Sequence, residues 1–247
     1  MSTPFFTIVT PTLNSEKYLR KCIESVESQS FKDWEHIFID SFSTDRTISL
    51  LKEYKKRNPK KVFIHQYLKA GVSDAFNKGI KNSKGKYINF LGSDDLLEKN
   101  SLQIVYNNIS DEKYGWCYGD VKIIDGKGLI KKLKKYMNFN YNSLLYFFYI
   151  CHQSVFMKRS IFENYGLFRV DLKYAMDHEY FLRIGKQEKP LKMNSFICSF
   201  RKDGTNTSSN WKEVLSEKRM INLKYSNNRL LTLLFHKITF LIKFILI

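Results

Sequence analysis

Residues 6–47 read FTIVTPTLNSEKYLRKCIESVESQSFKDWEHIFIDSFSTDRT, and the order of apolar and polar residues in this stretch predicts the fold. A β-rich run at residues 5–10 stops at Pro11, and Asn14 and Ser15, which are good helix N-caps, follow it. Apolar residues then recur at helical spacing as far as residue 26. Residues 35–40, EHIFID, form a second β-rich run. A strand, a helix and a second strand in this order predict a crossover unit with parallel strands.

The same alternation continues along the chain. We expect a helix at residues 45–57, strands at 62–66 and 87–91, and a helix between them at 74–81. Further on, the pattern predicts helices at 97–108 and 177–185 and strands at 116–124 and 196–200. This order is typical of an α/β fold with a mostly parallel central sheet and flanking helices. One domain is expected over residues 1–208, divided into halves 1–95 and 96–208, with a separate helical segment at 209–247.

Composition excludes several classes of protein. The chain has 247 residues, a net charge of +17, 15% aromatic residues, 11 Gly and 4 Pro, which excludes a disordered or collagen-like chain. The four cysteines form no zinc-binding spacing and are expected to be reduced thiols of a cytosolic protein. No secretory signal is expected at the N-terminus. The positive charge favours an anionic partner, but not nucleic acid, because no nucleic-acid-binding motif is present.

Carboxylates follow two of the predicted strands. Asp40 and Ser41 follow the second strand, and Ser93, Asp94 and Asp95 follow the fourth. Ligands of open parallel sheets bind at this edge, and adjacent carboxylates suit a divalent cation that shares its ligands with a diphosphate. The alternative is structural, since Asp40 could cap its turn and Asp94 and Asp95 the next helix.

Three segments together resemble family-2 inverting glycosyltransferases with the GT-A fold. They are the opening segment quoted above, residues 70–95 (AGVSDAFNKGIKNSKGKYINFLGSDD) and residues 152–184 (HQSVFMKRSIFENYGLFRVDLKYAMDHEYFLRI). The resemblance implies an enzyme that transfers a sugar from a nucleotide donor, UDP-linked, with the help of Mn2+ or Mg2+.

The resemblance also assigns donor-site roles. Asp40 would bond to the uracil ring, Asp94 would face the ribose and sugar, and Asp95 would bind the metal. The remaining expected donor-site residues are Pro11, Thr12, Leu13, Asn14, Glu16, Ser41, Asp74, Asn77, Lys78 and Ser93. The sequence departs from the family pattern at Ser41 and Phe42, where an acid and a glycine are common, and at Ser93, which replaces the first acid of the DXD motif.

The catalytic base is expected in the segment AMDHEYFLRI. The family pattern assigns this role to Asp177, with Glu179 as the competitor and as a candidate for acceptor or diphosphate binding. Residues two apart on a helix point about 200° from one another, so only one of them can face the cleft. Arg183 is expected to pair with an acid or a phosphate. The resemblance gives His152 and Gln153 a role in acceptor or diphosphate binding, and the alternative for His152 is a core residue.

The last segment, residues 230–247, is mostly apolar. Its polar residues Thr232, His236, Thr239 and Lys243 form one stripe of a helix. Two lysines and a histidine disfavour a membrane span, so we expect an in-plane helix on a membrane surface. Upstream basic residues would assist, namely Lys212, Lys218, Arg219, Lys224 and Arg229. The alternatives are a helix docked on its own domain or on a second subunit of a homodimer.

The sequence thus predicts a metal-dependent glycosyltransferase that acts on a glycan or lipid-linked acceptor in surface-polysaccharide synthesis, at the cytoplasmic face of a membrane. A nucleotidyltransferase is disfavoured, because the segment after the first strand has no Gly-rich phosphate loop. A non-catalytic basic adaptor for membranes or nucleic acid, built on the same scaffold, is the remaining alternative.

Overall fold

The computed structural model describes residues 3–68, 71–147, 150–203 and 210–245. These residues form nine strands, namely β1 (Phe6–Thr12), β2 (Trp34–Asp40), β3 (Val62–Gln66), β4 (Tyr87–Phe90), β5 (Leu96–Leu97), β6 (Trp116–Ile124), β7 (Ile130–Lys134), β8 (Val155–Lys158) and β9 (Leu191–Arg201). The helices are α1 (Glu16–Glu27), α2 (Thr47–Arg57), α3 (Val72–Asn82), α4 (Ser101–Ile109), α5 (Tyr141–Phe147), α6 (Arg159–Tyr165), α7 (Met176–Ile184), α8 (Trp211–Tyr225) and α9 (Arg229–Ile245).

One sheet runs through the molecule in the order β3-β2-β1-β4-β8-β6-β9-β5, with β7 paired to β6. The first four strands are parallel, as predicted. From β8 onward the sheet is mixed, because β8 runs antiparallel to both β4 and β6 while β9 runs parallel to β6. The predicted strand at 196–200 is the second half of β9, which begins at Leu191.

Helices cover both faces of the parallel half. On β1, Phe6 and Ile8 pack with α1, α2 and α4 in one apolar cluster. Val9, on the opposite face of the strand, packs with α3 and α7 in a second cluster. The first strands are therefore buried on both faces, which explains their nearly continuous apolar sequence.

Helices α8 and α9 follow the sheet, and α9 confirms the predicted C-terminal helix. The predicted boundary at residue 208 and the last two residues of the tail lie outside the described residues. The stripe residues Thr232 and His236 are buried, whereas Leu230 and Leu234 are 80% and 55% exposed. The helix thus packs on its own domain through its polar stripe and presents its apolar face outward. Among the described residues, none of the helices has the length and hydropathy needed to cross a bilayer.

Candidate active site

The loops after β1 and β2 are joined at the carboxyl edge of the sheet. Register pairs Thr12 with Asp40, and the Thr12 hydroxyl donates to Oδ1 of Asp40 at 2.8 Å. Ser43 donates to the same carboxylate through its hydroxyl at 2.5 Å and through its backbone N–H at 2.9 Å. Asp40 has no exposed surface. These contacts hold the turn that follows β2, and the expected contact of Asp40 with the uracil ring stays a prediction.

The β1 loop continues with a second set of bonds to the β2 loop. Asn14 adopts a left-handed conformation with φ of 48°, and its side-chain oxygen accepts from the Thr44 N–H at 2.9 Å. Glu16 accepts from the Arg46 N–H at 3.0 Å. Several residues expected to bind the nucleotide-sugar are exposed or half-buried on this edge of the sheet or on α3, namely Pro11, Leu13, Asn14, Glu16, Ser41, Asp74, Lys78, Ser93 and Asp94. The two loops therefore form a single ordered rim that a ligand can contact.

Asp95 lies buried after β4 with both carboxylate oxygens bonded. Oδ1 accepts from the Arg201 backbone N–H and Oδ2 from the Gln153 side-chain amide, both at 2.8 Å. Gly92 leaves room for this arrangement, since a Cβ there would lie 2.4 Å from Oδ2 of Asp95 and 2.8 Å from Oδ1 of Asp94. Burial, and then the neighbouring Asp94 carboxylate, raise the pKa of Asp95.

This pair of acids fits a divalent cation. Two adjacent carboxylates repel one another in a buried site, and a cation relieves that repulsion. No group of three or more His, Cys, Asp or Glu with metal-binding geometry occurs within the described part of the chain. A cation held by Asp94 and Asp95 would therefore need further ligands from the substrate diphosphate and water.

The His152–Ser154 turn of 3-10 helix lies between Asp95 and Asp177 and contacts both. Nδ1 of His152 lies 3.1 Å from Oδ2 of Asp177, while the adjacent Gln153 donates to Asp95. The Cys151 thiol donates to Oε1 of Gln153 at 2.7 Å, which directs the amide nitrogen toward Asp95. Burial raises the pKa of the Cys151 thiol, so it keeps its proton. Both side chains of the HQ pair thus bond to carboxylates of the site.

Asp177 and Glu179 point to different partners, as the helical spacing predicted. Asp177 lies in the first turn of α7, is 8% exposed and accepts from the His178 N–H at 2.8 Å. Glu179 is 1% exposed and bonds to Arg183 and, at 2.5 Å, to the Tyr225 hydroxyl. The expectation that Arg183 pairs with an acid is confirmed. These bonds fix Glu179 in a buried ion pair, and its expected acceptor or diphosphate role stays a prediction.

Helix α3 presents its predicted residues on two sides. Asp74 lies in the first turn, 3.4 Å from the Tyr67 hydroxyl, and the Lys78 ammonium lies 5.2 Å from the Tyr67 ring. Asn77 instead bonds to the Phe168 backbone through both its amide nitrogen and its oxygen, at 2.9 and 3.0 Å. Asn77 therefore ties α3 to the second half of the domain, which corrects its expected place beside the donor.

Sequence reasoning missed two residues that shape the site. The Arg201 side chain is fully buried and donates to the Asp94 and Asp125 carbonyls at 2.8 and 2.6 Å. Glu217 of α8 accepts the backbone N–H groups of residues 173, 174 and 175, just before α7, at 2.7, 2.8 and 2.9 Å. Arg201 stands at a strand end, which was a usable signal. Glu217 gave none, because its partners are backbone groups more than forty residues away.

A sequence model of glycosyl transferase family 2 matches residues 7–166. The chain therefore belongs to glycosyl transferase family 2, and it is a glycosyltransferase. It is 30% identical over 191 residues to a PGL/p-HBAD biosynthesis glycosyltransferase of Mycobacterium bovis, an alignment that covers 74% of this chain and 70% of the relative. It is 28% identical over 209 residues to the poly(ribitol-phosphate) beta-glucosyltransferase of Bacillus spizizenii, covering 81% of this chain and 33% of the relative.

Solved structures give the same fold. Residues 1–349 of S. aureus TarS in complex with UDP-GlcNAc match with a TM-score of 0.72 at 19% identity, covering 92% of this chain and 69% of that one. The mannosyltransferase PcManGT of Pyrobaculum calidifontis, in complex with GDP-Man and Mn2+, matches with a TM-score of 0.63 at 17% identity, covering 91% and 62%. The predicted GT-A fold is confirmed.

Proposed function

We propose that this enzyme transfers one sugar from a UDP-linked donor to a hydroxyl of a glycan or lipid-linked oligosaccharide, with inversion at the anomeric carbon. The observation that carries the proposal is the His152–Gln153 pair, whose adjacent side chains bond to Asp177 and Asp95. One turn of chain therefore contacts both Asp177, the proposed base for the acceptor hydroxyl, and Asp95, the proposed ligand of the cation that binds the diphosphate. The TarS complex with UDP-GlcNAc supports a UDP-linked donor, because it shares this fold.

Asp177 would act as the general base. Its carboxylate takes the proton of the acceptor hydroxyl while the oxygen attacks the anomeric carbon, and the bond from that carbon to the diphosphate oxygen breaks. His152 orients the carboxylate through its 3.1 Å contact, and the His178 N–H holds the other oxygen. No covalent intermediate is needed, because one displacement inverts the configuration.

Asp94 and Asp95 would hold the divalent cation, Mn2+ or Mg2+, which neutralises charge on the departing diphosphate when bound. Gln153 and the Arg201 N–H keep the Asp95 carboxylate in one orientation. The joined loops of residues 12–16 and 41–47 would line the nucleotide pocket, with Asp74 and Lys78 of α3 beside the nucleotide–sugar.

The relatives and α9 support a proposed acceptor and a proposed location. A relative that is a poly(ribitol-phosphate) beta-glucosyltransferase supports a cell-surface glycan as the acceptor. The exposed apolar face of α9, which includes Leu230, Leu234 and Ile238, supports peripheral binding to the cytoplasmic face of a membrane. Nearby cations such as Arg229 and Lys224 would add attraction to anionic lipids. A second copy of the chain is the competing occupant of this face.

The decisive experiment follows release of nucleoside diphosphate from a panel of nucleotide–sugars with Mn2+. Wild type should release UDP from one donor, and the product sugar should carry the inverted configuration. Asp177→Asn should lower the rate at least a hundredfold while donor binding stays within threefold, because only the base is lost. Glu179→Gln serves as the comparison, since its predicted damage is to stability. Absence of both binding and release with every UDP-linked donor would contradict the proposed donor.

A further inference from the structure

Helices α8 and α9 enclose a groove with a volume of about 770 Å³. Its apolar wall is formed by Leu215 from α8 and by Leu233, Leu234 and Phe240 from α9. The three α9 side chains are 37%, 55% and 43% exposed, so the groove is open to a ligand. This size is typical of a site for one small ligand, and it is too small for a patch of bilayer.

Three cations border the same groove. They are Lys212 and Arg219 of α8 and Lys237 of α9, and no carboxylate occurs among the residues that line it. None of the three forms an ion pair with another residue in the described ranges. Burial, and then Arg219 and Lys218, lower the pKa of the groove residue His236, which agrees with a positive potential there.

We propose that this groove binds the phosphate-bearing end of a single-chain lipid, the carrier of the acceptor glycan. Apolar walls alone would suit any hydrocarbon, and cations alone would suit any anion. The two together in one cavity fit a phosphate joined to an alkyl or isoprenoid chain. The inference rests on the proposed function in one respect, because it takes the acceptor to be lipid-linked.

A chain of hydrogen bonds connects the groove with α7, the helix that carries Asp177. Nε2 of His236 lies 3.1 Å from Nδ2 of Asn222, and Oδ1 of Asn222 lies 2.7 Å from Nε2 of His178. His178 follows Asp177 on α7 and is buried. A lipid in the groove would therefore contact His236, which is linked through Asn222 to the residue after Asp177, and this link favours the acceptor carrier over a bulk membrane lipid.

The test is calorimetric titration of the full chain with dodecyl phosphate below its micelle concentration. Dodecanol and inorganic phosphate are the matched probes that lack the phosphate or the chain. We expect saturable 1:1 binding of dodecyl phosphate and at least tenfold weaker binding of the other two. The double variant Arg219→Gln/Lys237→Gln should bind at least tenfold more weakly, since charge-assisted bonds to phosphate are lost. Lys132→Gln/Lys135→Gln removes the same charge from exposed positions elsewhere and should bind as wild type does.

Trp211 provides a second readout of where the probe binds. Its ring lies 5.6 Å from the Phe240 ring in the groove wall, whereas Trp34 and Trp116 are buried. Dodecyl phosphate should change the tryptophan emission of wild type, and Trp211→Phe should lose this change. Equal binding by both double variants, or dodecanol binding as tightly as dodecyl phosphate, would overturn the proposal. So would absence of binding by wild type, and a parallel titration with UDP-sugar would then show separately whether the proposed function stands.

Discussion

The contact of Glu217 on α8 with the backbone just before α7, the helix that carries Asp177, yields the sharpest prediction. In Glu217→Ala, the N–H groups of residues 173–175 lose their shared carboxylate. Water can replace it at the exposed Lys173, but less readily at the half-buried Tyr174 and at Ala175, which is 1% exposed. A hydrogen bond to a charged group contributes about 1.5 kcal/mol or more, so the two less accessible bonds predict a loss of about 3 kcal/mol. The domain should stay folded, because typical stabilities are about 5–15 kcal/mol.

The same change should reach the chemistry. Ala175 precedes α7 by one residue, and Asp177 lies in its first turn. Loosening this turn should lower kcat several-fold while the KM for the donor stays near the wild-type value. Glu217→Gln, which keeps one acceptor oxygen, should show about half the loss of stability.

Urea unfolding and steady-state transfer kinetics measure both effects. Glu213→Ala is the matched control, since Glu213 lies one turn earlier on α8, carries the same charge and bonds only to the Tyr174 hydroxyl among the contacts described for it. It should cost under about 1 kcal/mol, as exposed contacts do. The error of such extrapolated free energies is roughly 0.5 kcal/mol. If Glu217→Ala has a free energy of unfolding within that margin of the control, the reasoning is refuted.

Three further predictions concern the cation site, a buried histidine and α9. Gly92→Ala would put a methyl group 2.4 Å from Oδ2 of Asp95, so Mn2+-dependent donor binding should weaken at least tenfold in calorimetry. Burial lowers the pKa of His36 to about 3, whereas in the unfolded chain the pKa is about 6.5, so between these values the unfolded chain binds more protons. The free energy of unfolding should therefore fall by about 1.4 kcal/mol for each unit by which the pH is lowered in this range. In His36→Gln, the urea midpoint should lose this dependence on pH. Leu234→Glu should reduce co-sedimentation with anionic vesicles severalfold, whereas Leu133→Glu, at a similarly exposed apolar position on β7, should not. If Leu234→Glu leaves vesicle affinity unchanged but abolishes a dimer, the face of α9 binds a second copy of the chain instead.

Strands that are buried on both faces could be predicted from sequence almost to the residue. β6, which is buried over most of its length, has the expected bounds. β3 also has the expected bounds, although it is a mostly half-buried strand at the edge of the sheet. β7 was missed, since its segment IKKLK is largely exposed and pairs only at the edge of β6. An edge strand rich in lysine has no core to satisfy, so it leaves no periodic signal.

The site shows the same division. Asp40, Asp94 and Asp95 could be found because they follow strands, and Asp177 because it matches the family pattern. The sequence could not show that Gln153 bonds to Asp95 or that Tyr225 bonds to Glu179. Those contacts depend on how distant elements pack. For α9, the spacing revealed a polar stripe, but spacing does not show which side of a helix meets the protein. Asn222 and Ser226, which bond to His236 and Thr232, decided it.

The two residues of the HQ pair, His152 and Gln153, are neighbours in the chain and contact two different carboxylates of the site. One peptide unit, which separates neighbouring Cα atoms by about 3.8 Å, joins the residue that contacts Asp177 to the residue that contacts Asp95. An insertion between His152 and Gln153 would shift one of these contacts relative to the other. This position should therefore be sensitive both to a change of length and to loss of either side-chain contact.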